Sequence, residues 1–169
     1  TEIYTLSLHD ALPICMVSVL GHEFTPELAA TVCEGGAIDK QQASEALQHL
    51  SRAGLLMTTG GTHPTYRFAR LTDREVIYSG LPADQRRALH ARVAQVLSER
   101  NAATDRLAAH YDAADDHPNA ARCCQEVARQ AQRRGAYADA LRLYRAASRH
   151  LGVLEQDRTE CEIGEVECL

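Results

Sequence analysis

The 169-residue chain has no tryptophan, and its aromatic content is only 5%. A core so poor in rings must be filled by Ala, Leu and Val. Side chains of that size suit close helix-on-helix layers and give little material for a β-sandwich. Lys40 is the only lysine, so positive charge is carried by arginine. No apolar run approaches the ~20 residues that span a bilayer. No basic region leads into an apolar stretch with a small-residue cleavage site, so no secretory leader is read. A cytoplasmic chain is expected. The phosphate-cradling pattern GxxxxGK[ST] and the GxSxG elbow are both missing. His22-Glu23 lacks the second histidine of a zinc-protease helix, because position 26 is Pro26. CxxC is missing too, which removes zinc-ribbon and thioredoxin readings. The expectation is a chain with no catalytic residue, no metal ligand and no cofactor of its own.

Six cysteines are present: Cys15, Cys33, Cys123, Cys124, Cys161 and Cys168. In a cytoplasmic setting they read as small buried or half-buried apolar residues. Adjacent Cys123 and Cys124 diverge by about 100° on a helix, so they are not expected to face one core together. His90 and His110 stand near apolar stripes and read as packing residues. Asp112, Asp115 and Asp116 are close in sequence but lack the spacing of a calcium loop, and read as a solvated loop.

Charge is unevenly placed. Residues 1–81 hold 5 basic and 9 acidic groups, residues 82–150 hold 12 and 8, and residues 151–169 hold 1 and 6. A nucleic-acid reader concentrates positive charge on its reading element, and the first segment does the opposite.

Helix signals are plain along the chain. Thr25-Pro26-Glu27 supplies an N-cap, a proline at the first helical position and an early acid. That helix should carry Leu28, Ala29 and Val32 and stop near Gly35-Gly36. Asp39 caps the next, whose stripe is Ala43, Ala46, Leu47 and Leu50, with Gly54 at its C-terminal end. LLMTT and TYRFA, separated by 60–64, read as a β-hairpin. With the short apolar stretch from Cys15 to Leu20, this makes three short helices followed by two strands, the pattern of a winged helix. Further helices are expected over 71–81, from Pro82 to about 100, around Leu107 to Tyr111, over 118–134 and 136–150, and from near Gln156. Residues 115–119 read as a loop.

The helical pair over 118–150 carries the most specific spacing. Val127, Ala128 and Ala131 are followed by Ala140, Tyr144 and Ala147. This resembles the tetratricopeptide pattern, in which small residues let two antiparallel helices approach and an aromatic fills the groove towards the next repeat. Arg133, Arg134, Arg142 and Arg145 then offer a surface for an acidic partner.

Taken in order, SVLGHEF (18–24), ALQHLSRAGLL (46–56), YRFARLTDREVIYSGLP (66–82), RRALHARVAQVL (86–97), LAAHYDAADDHPNAA (107–121) and YADALRLYRAA (137–147) resemble one known segment. It joins the ATPase core to the tetratricopeptide array in bacterial STAND-class signalling ATPases. These include MalT-like and LuxR-type regulators and the ATPase–repeat proteins associated with adenylate or guanylate cyclases. The resemblance implies a non-catalytic coupler, with ATP or ADP bound only in a parent protein. It also implies an upstream ATPase domain in cis and a protein partner or self-association through the repeats. Where that family often has histidine two residues after the Phe, this chain has Arg70, a weak candidate for a nucleotide-sensing contact. Residues 1–14 resemble a translated sequencing adapter and are expected to be non-native, and both ends are expected to be artificial.

The expected architecture is mainly α. A winged-helix domain with a small β-hairpin spans 15–81, and a tetratricopeptide-like solenoid spans 82–169. The alternative is a stand-alone winged-helix DNA-binding regulator with a helical dimerisation tail. It is disfavoured by a reading helix that offers Lys40 and Arg52 only at its ends, opposed by Asp39 and Glu45.

Overall fold

The computed structural model describes residues 8–34, 39–60 and 64–169. The chain is mainly helical, with nine helices among the described residues and a small three-stranded antiparallel sheet. It divides into two compact units, one ending at Val96 and the other beginning at Leu97. No helix of the described residues is long and apolar enough to cross a membrane.

The first unit contains α1 (Leu8–Ser18), β1 (Glu23–Phe24), α2 (Pro26–Glu34), α3 (Lys40–Arg52), β2 (Leu56–Thr59), β3 (Thr65–Phe68) and α4 (Leu71–Gly80). α5 (Ala83–Glu99) begins in it. α1 starts upstream of Cys15, at Leu8, and packs against α2, α3 and α4. It buries Pro13, Ile14 and Val17. α2 opens as its sequence dictates: the Thr25 hydroxyl accepts from the Leu28 amide at 3.2 Å. The expected stop at Gly35-Gly36 lies outside the described residues. α3 has a full capping box. Asp39 accepts from the Gln42 amide at 2.8 Å, and the Gln42 side chain accepts from the Asp39 amide at 3.0 Å. Two of the helix's orphan donors are thereby satisfied. Its stripe of Ala43, Ala46, Leu47 and Leu50 is buried. Beyond its end Gly54 has φ +75°, and the Leu55 amide returns to the Leu50 carbonyl at 3.1 Å. That reversal needs a left-handed residue, which glycine supplies without strain.

The sheet departs from the expected two strands. β1 adds to the outer side of β3, giving the order β1-β3-β2. Phe24 stands opposite Tyr66 and Glu23 opposite Arg67, while Leu56 faces Phe68 on the other side. Phe24 and Phe68 are buried and meet edge to face, with centroids 6.2 Å apart. The two chain phenylalanines thus meet in one contact, beneath a sheet too short to stand alone. Residues 61–63 of the expected turn lie outside the described residues.

The second unit contains α6 (Thr104–Ala113), α7 (His117–Arg133), α8 (Tyr137–Val153) and α9 (Thr159–Glu167). α7 packs on both α6 and α8, and α8 packs on α9. The loop expected over 115–119 is shorter than its composition suggests. Asp116 is the N-cap, accepting from the Asn119 amide, and Pro118 sits in the first turn. Cys123 and Cys124 are both buried in the same cluster, contrary to the expectation that they would not share a core. The reason is the position of α7. Besides its packing on α6 and α8, its side chains Gln125, Arg129 and Gln132 reach Cys161, Glu160 and Glu167 of α9. More than one stripe of α7 is therefore covered. Each connection in this unit turns through a left-handed residue: Asp115 at φ +57°, Gly135 at +76° and Glu155 at +53°. The next amide then reaches back five residues, from Asp116 to Tyr111, Ala136 to Ala131 and Gln156 to Leu151. These are Schellman closures.

Candidate functional site

α6 and α8 flank a groove of about 510 Å³ whose floor is α7. The pairing of Asp112 with His150 and of His117 with His150 fixes the directions: α6 and α8 run parallel, and α7 runs against both. Small residues make the groove possible. Ala108 and Ala109 on α6, Val127 and Ala131 on α7, and Leu143 and Ala146 on α8 line an apolar middle. Arg134, Asp139 and Arg142 line it at one end, and Asp112, Arg149 and His150 at the other. An apolar floor with polar ends suits an extended or helical segment carrying both apolar and charged side chains.

The residues singled out from the helical pair separate into two sets. Val127 and Ala131 line the groove, Ala131 while also buried in the core cluster. Ala128, Ala140, Tyr144 and Ala147 are buried in the core cluster between α7, α8 and α9. Ala128, Ala140 and Ala147 have no measurable exposure, so their methyl groups are fully enclosed in the packing of the helices. The Tyr144 hydroxyl donates to Gln132 Oε1 at 3.0 Å.

The four arginines also separate. Arg134 and Arg142 line the groove, Arg134 bonding its own Gln130 carbonyl and Arg142 lying 3.6 Å from Asp139. Arg133 turns to Glu126 at 3.9 Å, and Arg145 reaches Glu165 of α9 at 3.4 Å. These pairs are exposed, and pairs of that kind contribute little to stability, typically about 0–1 kcal/mol. From sequence Asp112 was read only as part of a solvated loop with Asp115 and Asp116, whereas it lies in α6; Arg149 and His150 were not singled out, because nothing in their spacing marks them. Arg70, in the first unit, is exposed at the N-cap of α4 and makes no side-chain capping bond.

Burial is the largest influence on two groups of the groove, Cys124 and His150. It pushes the Cys124 thiol up to about 11, with Asp112 adding to the effect. That is the reverse of an activated nucleophile. Burial also pushes the His150 imidazole down, partly offset by Asp112. In the first unit, His90 meets the Tyr78 hydroxyl at 3.0 Å, and Arg74 and Arg86 both lie over the Tyr78 ring. His90 is held low by burial first and by those two guanidinium groups next. Among the described residues no group of three or more His, Cys, Asp or Glu side chains is placed to hold a metal ion.

Compared with protein-family models, curated proteins and solved structures, the chain matches none of them.

Proposed function

We propose that the chain is a non-catalytic coupling segment of a bacterial signalling ATPase. In this reading the first unit is a winged helix and the second is a tetratricopeptide-like helical array that engages a protein partner or a second copy. A cytoplasmic location follows from that role. The carrying observation is the element order of the first unit. Three helices are interleaved with a short strand, then a hairpin, and the sheet order β1-β3-β2 is the one a winged helix uses. The small-residue contact of Ala128 and Ala140, with Tyr144 directed at α9, supports the second half of the reading.

The exposed face of α3 favours coupling over DNA reading. Its exposed residues include Lys40, Gln41, Glu45, Gln48, His49 and Arg52, and Gln41 is engaged by Glu45 at 3.0 Å. A helix that neutralises phosphates needs several cations along one face, and here cation and anion alternate. Retardation of duplex DNA by the full chain separates the readings. No salt-dependent retardation is expected. Micromolar binding at moderate salt would overturn the coupler and favour the DNA-binding regulator.

A further inference from the structure

At one end of the groove three titratable side chains from three helices form a line. His150 Nε2 lies 3.1 Å from Asp112 Oδ1, and His150 Nδ1 lies 3.0 Å from His117 Nδ1. The ring centroids of the two histidines are 5.3 Å apart. Two imidazoles aligned along their Nδ1 directions have that separation when the nitrogens are 3.0 Å apart. The nitrogens therefore point at one another, as in an N–H···N hydrogen bond. Two lone pairs bent towards a common metal ion would bring the centroids closer.

Valence then assigns the hydrogens. A carboxylate accepts only, so His150 Nε2 carries the hydrogen facing Asp112. Neutral His150 therefore presents a bare Nδ1, and His117 Nδ1 must be the donor. We infer that Asp112, His150 and His117 form a latch across α6, α7 and α8 that holds while either histidine is neutral and opens when both are charged, so that acid opens it.

Protonation puts a hydrogen on His150 Nδ1, where His117 already has one. Two N–H groups cannot share the 3.0 Å gap. A neutral His117 can move its hydrogen to Nε2 and accept the bond from His150 instead; once both rings are charged no such exchange is open, and the contact between the start of α7 and the end of α8 is lost. The surroundings define the sense of the effect. Asp112 on α6 and Asp115 in the turn favour a charged His150, as does its place in the last turn of α8. His117, Arg149 and burial oppose it, and burial is the largest influence. From α7, Cys124 also lines this end of the groove, as a thiol held protonated. The folded state thus binds fewer protons at His150 than the unfolded chain does. Stability from this group is present above the ordinary value of 6.5 and is lost as pH falls through it towards the lowered folded value. The inference rests on these contacts alone and stands whether or not the coupler reading does.

The test uses the full chain and two readouts. In amide exchange, the opening equilibrium of α7 and α8 should rise between about pH 7.5 and pH 5 by up to about thirtyfold more in the wild type than in His150→Gln. Gln keeps an N–H for Asp112 and removes the titration. Parallel profiles for the two proteins would overturn the latch. Should His150→Gln fail to fold, nitrogen NMR of the wild type decides. At pH 7.5, scalar coupling between the two Nδ1 atoms is expected, with His117 protonated at Nδ1 and His150 at Nε2. Absence of that coupling at pH 7.5, or its persistence at an acid pH where the spectra show both rings doubly protonated, would overturn the proposal.

Discussion

The ring of Tyr144 on α8 lies over Gly164 on α9 so closely that a Cβ at position 164 would fall 2.5 Å from the ring's Cζ. Alanine stabilises a helix interior by about 1 kcal/mol over glycine, so propensity alone expects Gly164→Ala to help. The contact predicts the opposite: a loss of about 1–3 kcal/mol from overpacking, read by urea unfolding. A neutral or stabilising result would show that α9 does not rest on Tyr144.

Tyr144 itself separates its hydroxyl from its ring. Tyr144→Phe removes the bond to Gln132 and should cost about 1 kcal/mol. Tyr144→Ala removes the ring that α9 covers and should cost about 3–5 kcal/mol. Similar losses for both variants would mean that the hydroxyl, and not the ring, seats the helix.

The capping box predicts a local effect at the start of α3. Asp39→Ala leaves the Gln42 amide without its acceptor and should cost about 1 kcal/mol, while Asp39→Asn should cost less. Thermal unfolding of the three proteins checks this ranking.

Thiol labelling should follow burial. Burial pushes Cys33 up to about 12 and Cys124 up to about 11, so iodoacetamide at about pH 8 should spare both until the chain unfolds. Half-buried Cys168 should react first. Early modification of Cys33 would contradict its burial on α2 against Ala43 of α3.

His90 provides a pH test in the first unit. Burial, then Arg74 and Arg86, hold its folded pKa below the ordinary 6.5. Its contribution to stability is therefore present above 6.5 and is lost as pH falls through that value towards the lowered one. Proton NMR should place the His90 midpoint below 6.5, and a midpoint at or above it would refute the packing against Tyr78.

Most helices and the hairpin were legible because their signals are local. The Asp39 cap, the stripe over 43–50 and the alternation around 56–59 and 65–68 each reside within one element. β1 was missed because two residues, Glu23 and Phe24, have no periodicity to read. The start of α7 was read as loop because Asp116, Pro118 and Asn119 are turn formers as well as cap and first-turn residues. The left-handed turns at Asp115 and Glu155 carried no glycine to announce them. The groove and the histidine pair were invisible for a different reason: His117 and His150 are 33 residues apart and meet only because α7 and α8 are antiparallel. Four neighbouring arginines suggested one surface, but helix geometry sent Arg133 and Arg145 away from the groove that Arg134 and Arg142 line.

The five-residue reversals after Tyr111, Ala131 and Leu151 also set a timetable. A helical unit whose bends are each closed within six residues searches little conformational space before its contacts form, and such low contact order belongs to fast folding. The sheet is different, because Glu23 must find Thr65 across 42 residues with two helices in between. Within the first unit, β1 joining β3 is therefore expected to be the last pairing made, and the first lost when the unit opens.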